Sequence, residues 1–212
     1  MLRLLLIRHG ETDWNAQGRY QGQTDIPLNA VGWQQAQALA QRLAREPLTA
    51  IYASDLRRAG QTATVIAEPH QLPVRHDPRL REMRFGVFEG LTYAEIAARY
   101  PGALAAWQQD RDTPPPGGEA LAAFSARVRD FFDAVIAAHD DAAVLVVAHG
   151  GALRDMICRA LDIPADRRWN LAMDNASLSE LHLYDGGAVL YRLNDTAHLD
   201  TVSEGAHAMS SA

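Results

Sequence analysis

Residues 142–151 read AAVLVVAHGG, an apolar run that ends in an imidazole and two glycines. A run with no polar face suits a strand covered on both sides, as in a parallel sheet. Gly150–Leu161 follows at once with helical spacing, so the segment reads as strand, sharp turn, helix. The N-terminus repeats the pattern: Leu2–Ile7 is apolar and is followed by Arg8, His9 and Gly10. If the two strands are neighbours, two imidazoles meet at one carboxyl edge, where open α/β sheets collect their ligands.

The rest of the chain fits this reading. Asn29 is placed to cap a helix over Ala30–Ala44, with Val31, Ala38 and Leu39 on its inner side. Leu48–Ala53 reads as a strand, with Ser54 and Asp55 capping a helix that runs to Ala67. Pro69, Pro73 and Pro78 mark an irregular connection. Thr92 and Glu95 form a capping-box pattern, and a short helix includes Trp107. Three prolines and two glycines within Thr113–Gly118 make a loop. Leu121, Phe124, Val128, Phe131 and Val135 then line one face of a long helix. Leu178–Tyr184 and Ala188–Leu193 flank Asp185-Gly186-Gly187 as a hairpin. Strands alternating with helices predict a three-layer α/β/α sandwich, its sheet mostly parallel with an antiparallel edge hairpin. Residues 1–196 read as one domain and 197–212 as a flexible tail.

The chain has 212 residues, 48% of them apolar, which suits a single sizeable core. A net charge of −6 gives no global attraction for nucleic acid or an anionic membrane, so an anionic ligand needs a local cationic pocket. The apolar run Leu4–Ile7 is too short for a signal peptide core or a membrane span. The single cysteine, Cys158, sits among apolar helix positions and reads as core. A soluble, cytoplasmic protein is expected, monomeric or homodimeric.

Some of the polar residues carry a possible chemistry. Arginine offers a planar fork of permanent donors matched to phosphate oxygens. A neutral imidazole can attack phosphorus, and a protonated carboxylic acid can protonate the departing oxygen. Arg8, His9, Arg58, Glu82 and His149 supply these groups, and the helix opening at Gly150 adds its N-terminal amides. Each residue also has a plain structural reading. A histidine at a strand end is often simply hydrogen-bonded, a helix arginine is often solvated, and Glu82 can pair locally with Arg81 or Arg84. Two histidines with a carboxylate would also suit zinc, although no HxxE or HxH spacing supports it.

The ordered blocks LIRHGETDWN, YQGQTDIPLN, SDLRRAGQTA, LREMRFGVFEG and VVAHGGALR resemble the histidine phosphatase superfamily, phosphoglycerate mutase-like branch, over about Leu2–Leu193. The resemblance implies that His9 is phosphorylated and that Arg8, Arg58 and His149 complete the phosphate pocket. It implies Glu82 as the proton donor, Asn15 as a phosphoryl contact, Gln21-Gly22 as a lining loop and Arg84 as a substrate contact. It also implies an α/β/α fold and neither a metal nor a nucleotide cofactor.

Phosphatases and mutases of this family share these residues. Dedicated mutases carry ERHYGxLQGLNK followed by an insertion, whereas this chain has LREMRFGVFEGLTYAEI and a short PPPGGEA loop. In that loop Ala120 stands where many phosphatase relatives have Ser. The expected activity is therefore hydrolysis of a small phosphorylated metabolite, with phosphoglycerate mutase as the alternative. A non-catalytic phospho-ligand module would keep the arginines but not both His9 and Glu82.

Overall fold

In the computed structural model, which describes residues 1–200, Leu2–Arg8 (β1) runs through the middle of a six-stranded sheet. After it come α1 (Asp13–Ala16), α2 (Ala30–Leu43), β2 (Ala50–Ala53), α3 (Arg57–Ala67) and β3 (Val74–His76). Next are α4 (Tyr93–Arg99), α5 (Pro101–Gln109), α6 (Leu121–Ala138), β4 (Ala143–Ala148) and α7 (Gly150–Ala160). A hairpin of β5 (Leu178–Tyr184) and β6 (Gly187–Asp195) closes the sheet in the order β3-β2-β4-β1-β5-β6. β1 to β4 are mutually parallel, and the hairpin joins β1 antiparallel.

Alternation along the central strands splits the core into two layers. Leu4 and Leu6 pack with Phe124, Val128, Leu153 and Met156 of α6 and α7. Leu5 and Ile7 face the other way, onto Leu39, Leu43, Ala59 and Ala63 of α2 and α3. Both faces of β4 are covered, and all six of its residues are buried. No helix among the described residues is long and apolar enough to cross a membrane.

Several details depart from the sequence expectations. The buried face of α2 is Gly32, Ala36, Leu39 and Leu43, and Val31 is exposed. The cause lies at Gly32, where a Cβ would stand 2.1 Å from the Glu11 carbonyl oxygen, so this face of the helix presses on the loop after β1. Ser54 does not cap α3, whose N-cap is Leu56; the backbone N–H of Arg57 is met instead by Asp25 Oδ1 at 2.7 Å. The connection read as irregular contains the short edge strand β3 between Pro73 and Pro78. Ala197–Leu199, placed in the tail, forms a 3-10 turn in which His198 meets the Ala176 carbonyl at 3.0 Å. The rest of the expected tail, 201–212, lies outside the described residues.

Candidate active site

Register brings the two histidines together. Arg8 lies opposite Ala148 across the β1–β4 ladder, and the N–H of His9 donates to the Ala148 carbonyl at 3.0 Å. His9 and His149 therefore leave the sheet side by side, ring centroids 5.1 Å apart and inclined at 61°. Their partners assign the tautomers. His9 Nδ1 meets the Gly10 carbonyl at 2.7 Å, and a carbonyl only accepts, so Nδ1 carries the proton and Nε2 of the neutral ring is left bare. Arg58 Nε donates to His149 Nδ1 at 3.3 Å, so His149 holds its proton on Nε2 and gives it to Ser54 Oγ at 2.9 Å. Burial, with Arg58 and Arg8 beside it, holds the His9 ring well below the usual imidazole range. Burial and Arg58 do the same to His149.

Arg58 and Arg8 flank this pair, and Arg154 lies beside Arg8. Arg58, at 0% exposure in the first turn of α3, donates to the carbonyls of Thr24 and Gly22, each at 2.8 Å. Burial lowers its pKa to about 10, so it stays charged at neutrality. Arg8 donates to the Met173 carbonyl at 2.6 Å, while its buried Nε has no partner among the described residues. Arg154, one turn into α7, donates from Nε to the Leu171 carbonyl at 2.7 Å. A Cβ on Gly150 would stand 2.9 Å from Arg154 Nη1 and 3.8 Å from Arg8 Nε, so both guanidiniums overhang the start of α7. Among the described residues no carboxylate forms an ion pair with Arg8, Arg58 or Arg154. Desolvated cations with no carboxylate partner make a receptor for an anion.

Glu82 faces them. Its Oε2 accepts from the Gly151 N–H and its Oε1 from the Met83 N–H, both at 2.9 Å. The local ion pair considered for it does not form: Arg81 pairs with Asp55 at 2.6 Å, and Arg84 is exposed. Arg127 of α6 holds the segment by its backbone, donating to the carbonyls of Arg79, Arg81 and Glu82 at 2.8, 2.6 and 2.9 Å. Arg127 is itself fixed by Glu119 at 2.8 Å.

The lining residues divide. Asn15 sits in α1, where its Oδ1 accepts from the Thr12 N–H at 3.1 Å and from Asn175 Nδ2 at 3.3 Å, leaving its own Nδ2 uncommitted among the described residues. Gln21 is buried, with Oε1 unpartnered among the described residues. Gly22 has φ +54°, and a Cβ there would stand 2.1 Å from Glu89 Oε1. Glu89 needs that room, because it accepts from the N–H groups of Gln23, Thr24 and Phe85 at 3.1, 2.9 and 2.9 Å and so ties the two loops together. Gly150 opens α7 beneath the arginines. Arg84 is not brought in; its backbone is pinned to Glu119 and its side chain points to solvent.

Sequence reasoning missed Arg154, Ser54, Asn175 and Arg127. Arg154 was within reach, since it lies four residues after Gly150 on the same helix face. The other three act through partners distant in sequence and left no local signal.

Comparison with known proteins shows the family. The family model described as histidine phosphatase superfamily (branch 1) matches residues 4–196. Phosphoserine phosphatase 1 of Hydrogenobacter thermophilus is 38% identical over 208 residues, covering 98% of this chain and 99% of its own. The alpha-ribazole phosphatase structure from Shigella flexneri superposes with a TM-score of 0.85 at 34% identity, covering 91% of this chain and 96% of that one. Mycobacterial glucosyl-3-phosphoglycerate phosphatase, solved with VO3, gives a TM-score of 0.83 at 38% identity, covering 92% and 99%.

Proposed function

The chain belongs to the histidine phosphatase superfamily, branch 1, and from that premise we propose that it hydrolyses small phosphate monoesters through a phosphohistidine on His9. The observation that carries the reading is the convergence of Arg8 and Arg58, with Arg154 beside Arg8 and none in an ion pair among the described residues, on a neutral imidazole with a free Nε2.

In the first step His9 Nε2 attacks phosphorus while the bond to the leaving oxygen breaks. Arg8, Arg58 and Arg154 hold the non-bridging oxygens, with Asn15 and the Gly150 amide that opens α7, and balance the charge that spreads over them. Protonated Glu82 gives its proton to the departing alkoxide. In the second step the Glu82 carboxylate takes a proton from water, the water attacks the phosphohistidine, and inorganic phosphate leaves. The Gly151 N–H, which holds Glu82, keeps the acid at the mouth of the pocket in both steps.

His149, which the resemblance put in the phosphate pocket, has both ring nitrogens engaged by Arg58 and Ser54, and in this scheme it is a positioning residue. Its ring orients Arg58 through Nδ1 and is itself oriented by Ser54. A single buried cysteine fits a reducing compartment, so the enzyme is read as cytoplasmic, acting on a small-molecule substrate as a monomer or homodimer.

The test is phosphate release from a set of phosphorylated metabolites, run beside 3-phosphoglycerate primed with 2,3-bisphosphoglycerate. Free phosphate from monoesters supports hydrolysis. Rapid formation of 2-phosphoglycerate without free phosphate overturns it in favour of a mutase.

A further inference from the structure

The wall of the site on the Glu82 side continues into a second space. A small cavity of about 70 Å³ is lined by Glu82, Phe85, Gly151, Arg154 and Trp169. Phe85 and Trp169 also line a larger cavity of about 400 Å³, together with Tyr20, Tyr93, Trp107 and Arg111. The two cavities thus share Phe85 and Trp169, which stand between the proposed acid and an aromatic chamber.

The chamber is built for rings. Tyr20, Phe85 and Trp107 pack edge to face, with centroid separations of 5.3, 5.8 and 6.4 Å. Trp169 and Tyr93 bring large apolar surfaces to its rim while remaining 49% and 52% exposed. The guanidinium of Arg111 lies 3.8 Å from the centroid of the Trp107 ring. No carboxylate pairs with Arg111 among the described residues, and its Nη1 and the indole Nε1 of Trp107 are both buried without a partner there. The other cation of the wall, Arg19, is already engaged by Glu95 at 2.8 Å.

We infer that this chamber is the leaving-group site and that it selects monoesters whose alcohol carries a flat heteroaromatic ring with hydrogen-bond acceptors. The inference deepens the phosphatase reading and rests on it. Aromatic surfaces and a stacked guanidinium favour a planar π-face. The guanidinium of Arg111, which has no carboxylate partner among the described residues, favours acceptor atoms on the ring, which a purely hydrocarbon group does not offer. The volume separates the candidates as well, since small-molecule pockets run from about 300 Å³ upward, far more than a serine or glycerol moiety fills.

Adenosine 5′-monophosphate is the ring-bearing probe, phosphoserine and glycerol 3-phosphate the acyclic ones, and glucose 6-phosphate the saturated-ring one. The expected kcat/KM for the nucleotide exceeds that of the acyclic esters by about tenfold or more, the scale of one stacking contact. Arg111→Gln and Tyr93→Ala each raise the KM for the nucleotide by about tenfold, with kcat little changed and the phosphoserine KM moved far less. Equal or better efficiency on an acyclic ester or on glucose 6-phosphate overturns the inference while leaving the phosphatase reading intact. So does a KM increase in the variants that is uniform across all substrates. Failure of the native protein to release phosphate from any monoester overturns both.

Discussion

Arg58 and His149 are joined by one hydrogen bond, from guanidinium Nε to imidazole Nδ1 at 3.3 Å, and burial together with that neighbouring cation keeps the His149 ring neutral. A protonated Nδ1 would face a buried cation across that contact. His9 is under the same constraint, with both Arg58 and Arg8 acting on it. The site therefore has two imidazoles that resist protonation until an anion arrives.

The first expectation concerns pH and stability. Both histidines start from an unfolded value of 6.5 and are held well below it in the fold. Below that value the unfolded chain binds protons that the folded chain refuses, so stability is full above it and falls as pH falls. Between about pH 7.5 and about pH 5.5 each ring contributes about 1.4 kcal/mol in total. His139 and His198, also lowered by burial, add to the slope. Urea unfolding at about pH 7.5 and about pH 5.5 measures the total slope. His149→Asn is expected to reduce it by one ring's share, and an unchanged slope would contradict a neutral, proton-refusing His149.

Gly151→Ala is expected to strike the acid selectively. A Cβ at that position would stand 2.2 Å from Glu82 Oε1, so the carboxylate must leave the amide that holds it. Loss of a positioned general acid costs about 10²- to 10⁴-fold, and the loss should fall on kcat. Inhibition by inorganic phosphate, which reports the arginine pocket, should change little. A parallel loss of phosphate affinity would mean that the substitution had damaged the pocket instead.

Arg127→Ala tests whether the Glu82 segment needs its backbone clamp. Three carbonyls and the Glu119 carboxylate lose a charged donor, at about 1.5–3 kcal/mol for such a hydrogen bond. The expected result is a lower melting temperature together with reduced kcat on esters of poor leaving groups. Esters with good leaving groups, which need less proton donation, should be spared. Arg127→Lys keeps the charge but cannot span the three carbonyls, so it should restore only part of the loss.

The two central strands and their polar endings were legible because a fully covered strand leaves an unbroken apolar run, and Arg8-His9-Gly10 and His149-Gly150 break such runs in the same way. The caps at Asn29 and Thr92 were legible because capping is local: Asn29 accepts from the Gly32 N–H, and Thr92 exchanges bonds with Glu95. β3 was not, since three residues between prolines carry too little periodicity to read. Ser54 looks like a helix cap in sequence, but its hydroxyl serves His149, 95 residues away. Arg84 was assigned to the site by the family resemblance alone, whereas the Glu119 carboxylate and N–H hold its backbone with the side chain outward.

Arg154 provides the test of what sequence reading missed. Its guanidinium overhangs Gly150 beside Arg8 and pairs with no carboxylate among the described residues. Arg154→Gln is expected to weaken phosphate inhibition and lower kcat/KM by about 10²- to 10³-fold, the scale of removing one donor to a developing oxyanion. A variant that binds phosphate as tightly as the native protein would move Arg154 out of the pocket and onto the leaving-group side.

The most direct measurement is to quench the protein during turnover of a radiolabelled phosphomonoester and map the label. The expected product is an acid-labile, base-stable phosphoryl group on His9, formed at least as fast as phosphate is released and absent from His9→Ala, which should not turn over. Label on any other residue, or near-native phosphate release by His9→Ala, would contradict the mechanism at its first step.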